Sequence, residues 1–268
     1  MQVPELTRSA PVVMVLPAHD EEVTVGDVVR RAPREVHGHP VEVVVVDDGS
    51  RDGTAAAALA AGASVQSLDR NRGLGAAVRA GLAWAVARRP AAVAFLDADG
   101  EYAPEELPSL VAPVLAGRAD YVIGSRFAGR PRDMRPHRWL GNRVLTLGMK
   151  LLVRRWGVRG LSDGQSGYRA LSSAAAADAE IVHDFNYAQV LTLDILAKGY
   201  QYAEVPISYR FRRHGRSFVR LVPYLRRVVP AVWRELRAID AASAGNWVTD
   251  TAAAGAPMLV ADASPGAR

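Results

Sequence analysis

Val93-Ala94-Phe95-Leu96-Asp97-Ala98-Asp99-Gly100-Glu101 is the stretch on which the reading turns. Apolar residues run up to Asp97, and a carboxylate then occupies every second position as far as Glu101. In an extended chain residues two apart project from the same face, so Asp97, Asp99 and Glu101 can converge. A buried strand that ends in carboxylates is costly unless something neutralises them. Hard carboxylate oxygens suit Mg²⁺ or Mn²⁺, ions that also favour phosphate oxygens. A strand-to-helix turn in which Asp99 merely caps a helix near Pro104 would use the same residues, so the surrounding chain has to decide.

Upstream, Pro11 to Pro17 is a short buried-strand signal, and His19-Asp20-Glu21-Glu22 opens a helix through about Arg31. Val41 to Asp47 is a β-branched run that stops at Asp47-Asp48-Gly49-Ser50, with an alanine-rich helix from about Thr54. A strand over Ser64 to Leu68, a helix over Gly75 to Arg88 and the strand Ala91 to Asp97 come next. Pro104 to Leu115 reads as a helix and Tyr121 to Gly124 as a strand. Strands alternating with helices imply a mostly parallel α/β sheet with right-handed crossovers. Ligands bind such sheets beyond the carboxyl ends of the strands, where Asp20, Asp47, Asp48, Asp97 and Asp99 all fall.

Past Gly124 the pattern loosens. An Arg- and Pro-rich loop spans Gly129 to Pro136, an apolar helix Leu140 to Val153, and a turn-rich loop Leu161 to Arg169. An amphipathic helix over Tyr187 to Lys198 and a strand over Tyr200 to Tyr209 precede a basic segment, Phe218 to Ile239. The expected organisation is one domain over 1–240, with a first part about 10–125 and a second about 126–240. Residues 241–268 are Ala-, Gly- and Ser-rich without period and read as a disordered tail.

Composition narrows the class. With 49% hydrophobic and 23% charged residues the chain is an ordinary globular one, and no apolar run approaches the ~20 residues that cross a bilayer. The absence of cysteine excludes disulfides and thiolate metal sites. No secretory leader is read at Met1 to Glu5, so the expected location is cytoplasmic. The net charge of +5 is unevenly spread: Arg126 to Arg169 holds eleven Arg and Lys against two acids, and Arg210 to Arg237 nine Arg against one. Arginine pairs bidentately with phosphate, so an acidic, metal-binding half faces an anion-binding half. Amphipathic faces near Leu140 to Val153 and Phe218 to Leu236 suit peripheral contact with the inner membrane surface, with packing on the protein's own core as the alternative. No nucleic-acid partner is expected, and the oligomeric state is not legible. Asn71-Arg72-Gly73-Leu74-Gly75 is no dinucleotide fingerprint, because Val78 stands at the third glycine position.

Taken together, Leu16-Pro-Ala-His-Asp-Glu-Glu22, Val46-Asp-Asp-Gly-Ser50, Asn71 to Gly75, Leu96-Asp-Ala-Asp99, Gly124-Ser-Arg-Phe127, Asp163-Gly-Gln-Ser-Gly-Tyr-Arg169 and Glu204-Val-Pro-Ile207 resemble the family 2 glycosyltransferases of GT-A fold. The dolichyl- and polyprenyl-phosphate sugar synthases are the most similar group. The resemblance implies a Rossmann-like GT-A sheet with a C-terminal acceptor-side extension, and inverting, metal-dependent transfer of a sugar from a UDP- or GDP-sugar to a polyprenyl phosphate. It places Pro17, Ala18, Asp20 and Glu21 along the nucleotide, with Asp47 or Asp48 receiving the base N–H. Asn71, Gly75 and Ala98 fall on the donor side. Asp97 and Asp99, with Glu101, would hold Mg²⁺ or Mn²⁺ at the diphosphate, and Arg126 and Arg212 would contact phosphates. Arg138, Asn142, Ser166 and Arg169 are implied for the acceptor phosphate.

Departures from the family pattern are Asp20 for asparagine, Glu101 for glutamine, and Phe218 where the synthases place a phosphate-contacting lysine. Arg216 and Arg220 are the nearby substitutes for that contact. An acceptor hydroxyl would want a general base, and the nearest candidates are Asp163 and His183. An acceptor phosphate, already ionised, needs none. A transferase with a hydroxyl acceptor and a non-catalytic nucleotide-sugar-binding module remain the rival readings.

Overall fold

In a computed structural model the described residues are 9–129, 134, 136–184, 187–210, 226, 229–237 and 239. Arg212, Arg216, Phe218, Arg220 and the 241–268 tail lie outside them. The elements in chain order are β1 (Val12–Ala18), α1 (Val25–Arg31), β2 (Glu35–Val36), β3 (His39–Asp47), α2 (Thr54–Ala60), β4 (Ser64–Ser67), α3 (Leu74–Val86) and β5 (Ala92–Phe95). They continue with α4 (Leu107–Leu115), β6 (Tyr121–Ser125), α5 (Pro136–Val153), β7 (Arg169–Ser172), α6 (Ser173–Asp178), α7 (Ala188–Ala197) and β8 (Tyr202–Pro206).

The strands form an eight-stranded sheet in the order β2-β3-β1-β5-β7-β6-β8, with β4 also paired to β3. Strand β1 runs parallel to both β3 and β5, and β8 parallel to β6. Between β5 and β6 lies β7, antiparallel to both. The loop read over Leu161 to Arg169 therefore ends one residue early, and Arg169 begins a strand that was not expected. Burial on both faces explains the apolar runs. Within β1, Val12, Met14 and Leu16 join one core layer, with Val25, Val28 and Val29 of α1 and Leu107, Leu110 and Val111 of α4. Val13 and Val15 face the other layer, built with Ala77, Val78 and Leu82 of α3 and Leu191 and Ile195 of α7.

Helix α7 is buried from Ala188 through Leu196. Residues 229–237 are helical, and Val232 and Leu236 pack on the same layer as α7. Glu235 goes inside with them at 5% exposure. Burial pushes its carboxyl up to about 7; the charges of Asp194 and Glu180 add to the shift and Lys198 opposes it. A raised carboxyl pKa favours the folded state while the proton is held, so this stability is complete below the unfolded value and is lost as pH rises through about 7. Glu235→Gln is expected to raise the melting temperature at pH 8 and to leave it unchanged at pH 4. Differential scanning calorimetry at the two pH values checks both the size and the sign.

Candidate active site

The motifs collect where the parallel strands end. Strand β1 finishes at Ala18, β3 at Asp47 and β5 at Phe95, two residues before Asp97. The Asp48 N–H donates to the Ala18 carbonyl (2.9 Å), tying the first two tips together. Pro17 and Ala18 are both buried, Pro17 opposite Val46 and Ala18 opposite Asp47. Asp20 sits at φ 54°, in the left-handed region that Asp and Asn tolerate better than most residues. That requirement explains how aspartate can stand in for the asparagine of the first motif. The Asp20 N–H donates to Ser50 Oγ (3.0 Å) and its Oδ1 accepts the Arg51 N–H (2.9 Å). Glu21 donates its N–H to Thr54 Oγ1 (2.8 Å) and accepts from Thr24 Oγ1 (2.7 Å).

The two aspartates that end β3 do different jobs. Asp48 is buried and accepts the N–H groups of Arg72 (2.7 Å) and Gly73 (2.8 Å), one on each oxygen. Its carboxylate thus clamps the 71–75 turn. Asp47 takes the Ser50 N–H on Oδ1 (2.9 Å), with Ser67 Oγ at 3.4 Å from Oδ2. Asn71 is exposed. Gly75 is buried against backbone: its N–H donates to Asp184 O (2.7 Å), and a Cβ there would lie 1.9 Å from His183 O. Its lack of a side chain serves the approach of the 183–184 segment.

At the tip of β5, Asp97 is half-buried, Ala98 is 1% exposed and Asp99 9%. Asp99 Oδ1 accepts the Glu101 N–H (3.0 Å), turning the chain back on itself. The Glu101 carboxylate accepts from Tyr209 OH (3.0 Å) and Arg138 Nη1 (3.2 Å). One expected metal ligand and one expected acceptor contact are therefore partnered with each other. Among the described residues no group of three or more His, Asp or Glu side chains is placed to hold a metal ion. The residues still fit Mg²⁺ or Mn²⁺, since such ions commonly take one or two carboxylates and complete their shell with substrate phosphates and water. Asp97 and Asp99, two residues apart just past β5, are the candidate pair.

Arg126, expected at the donor phosphates, directly follows β6 and lies buried against Asp163 in a two-pronged ion pair, Nε to Oδ2 at 2.7 Å and Nη2 to Oδ1 at 2.8 Å. Asp163, at 0% exposure, is thereby committed to an arginine, and its candidacy as a base is not favoured. The loop carrying it is held by Glu204 of β8, which accepts the N–H groups of Ser162 (2.7 Å) and Asp163 (3.2 Å). Asn142 donates to Met134 Sδ (3.7 Å). Ser166 is 0% exposed, its Oγ accepting the Tyr168 N–H (3.3 Å).

Arg169 is also 0% exposed and donates to Ser166 O (2.8 Å), Ala188 O (2.7 Å), Thr192 Oγ1 (2.9 Å), Gly164 O (3.1 Å) and the Tyr121 hydroxyl. It is an internal strut joining β7, β6 and α7, and a phosphate has no route to it. Sequence reasoning also passed over the tyrosines around the β5 tip. Tyr102, Tyr168, Tyr187 and Tyr209 are all buried there; the positions of Tyr102 beside the acidic motif and Tyr168 within Ser-Gly-Tyr-Arg were the available signal, and Tyr187 and Tyr209 had none.

Comparison with known proteins agrees with this geometry. The model of the family described as glycosyl transferase family 2 matches residues 13–174. An uncharacterised protein of Methanocaldococcus jannaschii is 32% identical over 221 residues, 81% of this chain and 88% of its own. The polyprenol monophosphomannose synthase of Mycolicibacterium smegmatis is 35% identical over 217 residues, 76% of this chain and 79% of its own. Glucosyl-3-phosphoglycerate synthase of Mycobacterium tuberculosis, solved with Mn²⁺ and UDP-glucose, superposes with a TM-score of 0.68 at 25% identity, over 85% of this chain and 79% of that one.

Proposed function

Since the chain belongs to glycosyl transferase family 2 and has the GT-A fold, we propose that it moves a sugar from a UDP- or GDP-sugar to a polyprenyl phosphate with inversion at the anomeric carbon. The observation that carries this reading is the gathering of three acid-bearing strand tips, those of β1, β3 and β5, at one edge of the sheet. The acceptor half draws on the similarity to the polyprenol monophosphomannose synthase. Residues 10–125 would form the donor part of a single domain and 126–240 the acceptor part.

An acceptor phosphate oxygen forms the bond to the anomeric carbon. The bond from that carbon to the donor diphosphate breaks, and its electron pair leaves with the nucleoside diphosphate. A divalent ion, when bound, supplies charge to the leaving diphosphate. Asp97 and Asp99 are the residues that would hold it. Asp47, with one oxygen less firmly engaged than either oxygen of Asp48, takes the base N–H. No proton need be removed from an ionised phosphate, which agrees with Asp163 being locked to Arg126.

A membrane partner fits the exposed side of α5. Leu140, Val144, Leu147 and Leu151 are 57–60% exposed and follow one helical face. Arg143, Lys150 and Arg154 flank it, the arrangement that suits an anionic lipid surface. No helix among the described residues is long and apolar enough to cross a membrane. The protein is expected to float with vesicles containing phosphatidylglycerol, and Leu147→Asp to return it to the bottom of the gradient. Wild-type protein left at the bottom would argue against the surface.

The catalytic reading is tested by supplying radiolabelled GDP-mannose, UDP-glucose or UDP-N-acetylglucosamine with Mn²⁺ and undecaprenyl phosphate. A butanol-extractable, mild-acid-labile product supports it. A hydroxyl acceptor is the second reading, favoured by the likeness to the phosphoglycerate-directed synthase, and water-soluble product with 3-phosphoglycerate would select it. No transfer from any donor, with nucleotide binding retained, would point to a binding module.

A further inference from the structure

We propose that Gly167 is the positioning residue for the Asp97 carboxylate, and that the hydroxyls of Tyr102 and Tyr187 hold Gly167 to that task. This rests on the reading of Asp97 as a donor-side acid. A Cβ built at residue 167 would stand 2.5 Å from Asp97 Oδ2, 3.1 Å from Cγ and 3.3 Å from Oδ1. The whole carboxylate therefore lies against the bare Cα of Gly167. The backbone of Gly167 is outside the left-handed region that nine other glycines among the described residues occupy. Conformation does not call for glycine here; room for the carboxylate does.

The peptide on either side of this Cα is fixed by two rings. The Gly167 N–H donates to the Tyr102 hydroxyl (2.9 Å), and the Tyr187 hydroxyl donates to the Gly167 carbonyl (3.2 Å). Tyr102 belongs to the core layer with α1 and α4, and Tyr187 to the layer with α3 and α7. The loop before β7 is thus pinned from both faces of the sheet. Each ring is itself braced, Tyr102 against Tyr168 and Tyr209 with centroids 5.9 and 6.0 Å away, and Tyr187 against Phe95 of β5 at 6.0 Å. Burial pushes Tyr102 up to about 12 and Tyr187 well above the ordinary tyrosine value, with Asp97 adding to both shifts. Both hydroxyls stay protonated wherever the enzyme would work. Asp97 stands two residues past β5, after Leu96, whose N–H donates to Val15 O of β1 (3.1 Å); the sheet thus fixes the approach of the chain, and Gly167 sets the direction of the carboxylate.

The neighbour that a methyl would strike is the end of a short side chain rather than backbone. Gly167→Ala is accordingly expected to fold and to turn the carboxylate aside. Four proteins are compared: wild type, Gly167→Ala, Tyr187→Phe and Asp97→Asn. Mn²⁺ binding is read from the free-ion electron paramagnetic resonance signal in the presence of UDP, and UDP binding without metal by calorimetry.

In Gly167→Ala, Mn²⁺ affinity is expected to fall by about 10- to 100-fold, the scale seen when a group orienting a metal ligand is lost, with metal-free UDP affinity unchanged. Tyr187→Phe should move the same quantity in the same direction by a smaller factor. Unaltered Mn²⁺ affinity in folded Gly167→Ala, while Asp97→Asn weakens it, overturns the positioning role and leaves the site standing. Unaltered affinity in Asp97→Asn itself overturns the site. If Gly167→Ala does not fold, Tyr187→Phe decides alone: a loss of Mn²⁺ affinity without loss of UDP affinity supports the proposal, and no such split rejects it.

Discussion

Asp99→Asn is expected to lower turnover by about 10³-fold, roughly 4 kcal/mol of barrier, while the folded state survives intact. The amide has the shape of the carboxylate, and its oxygen can still accept the Glu101 N–H that Asp99 Oδ1 accepts at 3.0 Å. What disappears is one negative charge at the β5 tip, where Asp97 and Glu101 also stand. Removing it lessens repulsion in the folded protein, so the melting temperature should hold or rise slightly. On the proposed function turnover should collapse, because one of the two carboxylates that would hold the divalent ion has gone. Steady-state rates at saturating donor and Mn²⁺, set beside thermal melts, test both halves. A variant within threefold of wild-type turnover would remove Asp99 from the chemistry.

Asp163→Asn should behave in the opposite way, losing stability first. Arg126 and Asp163 are 5% and 0% exposed at their side chains, and the pair is two-pronged. Asp163 also accepts the N–H groups of Arg126 (3.1 Å) and Gln165 (3.2 Å). Removing one partner of such a pair leaves a buried charge without compensation and typically costs about 3–5 kcal/mol. Urea denaturation should show a midpoint shift of that size, and Arg126→Met added to Asp163→Asn should recover part of it. Were Asp163 a base instead, the single variant would keep its stability and lose its rate.

These two residues also mark how far the sequence could be read. The acidic tips of β1, β3 and β5 were legible because a parallel strand buried on both faces is a continuous apolar run. Where the run meets Asp47, Asp48 or Asp97, the strand has ended and its ligand-binding edge begins. Arg169 was misread for an equally physical reason. An arginine beside a Ser-Gly turn suggests an anion, whereas its acceptors are contributed by residues as remote as Tyr121 and Thr192. No local pattern announces such non-local partners, and strand β7 went unseen because four residues beginning with arginine carry no strand signal. Gly75 read as a helix start on the donor side and Gly167 as part of a turn-rich loop. Their close neighbours, His183 O and the Asp97 carboxylate, come from distant parts of the chain.

The wedging of β7 between β5 and β6 has a consequence for how the chain is made. While the polypeptide emerges from the ribosome, Ala92–Phe95 has β1 on one side and nothing on the other until residues 169–172 arrive. For some seventy-five residues of synthesis, at ~5–20 residues per second, a fully apolar strand presents an open edge. Nascent chains halted where Ala92–Phe95 has left the ribosome and residues 169–172 have not should therefore be the ones that chaperones capture and that aggregate most readily when those chaperones are withheld.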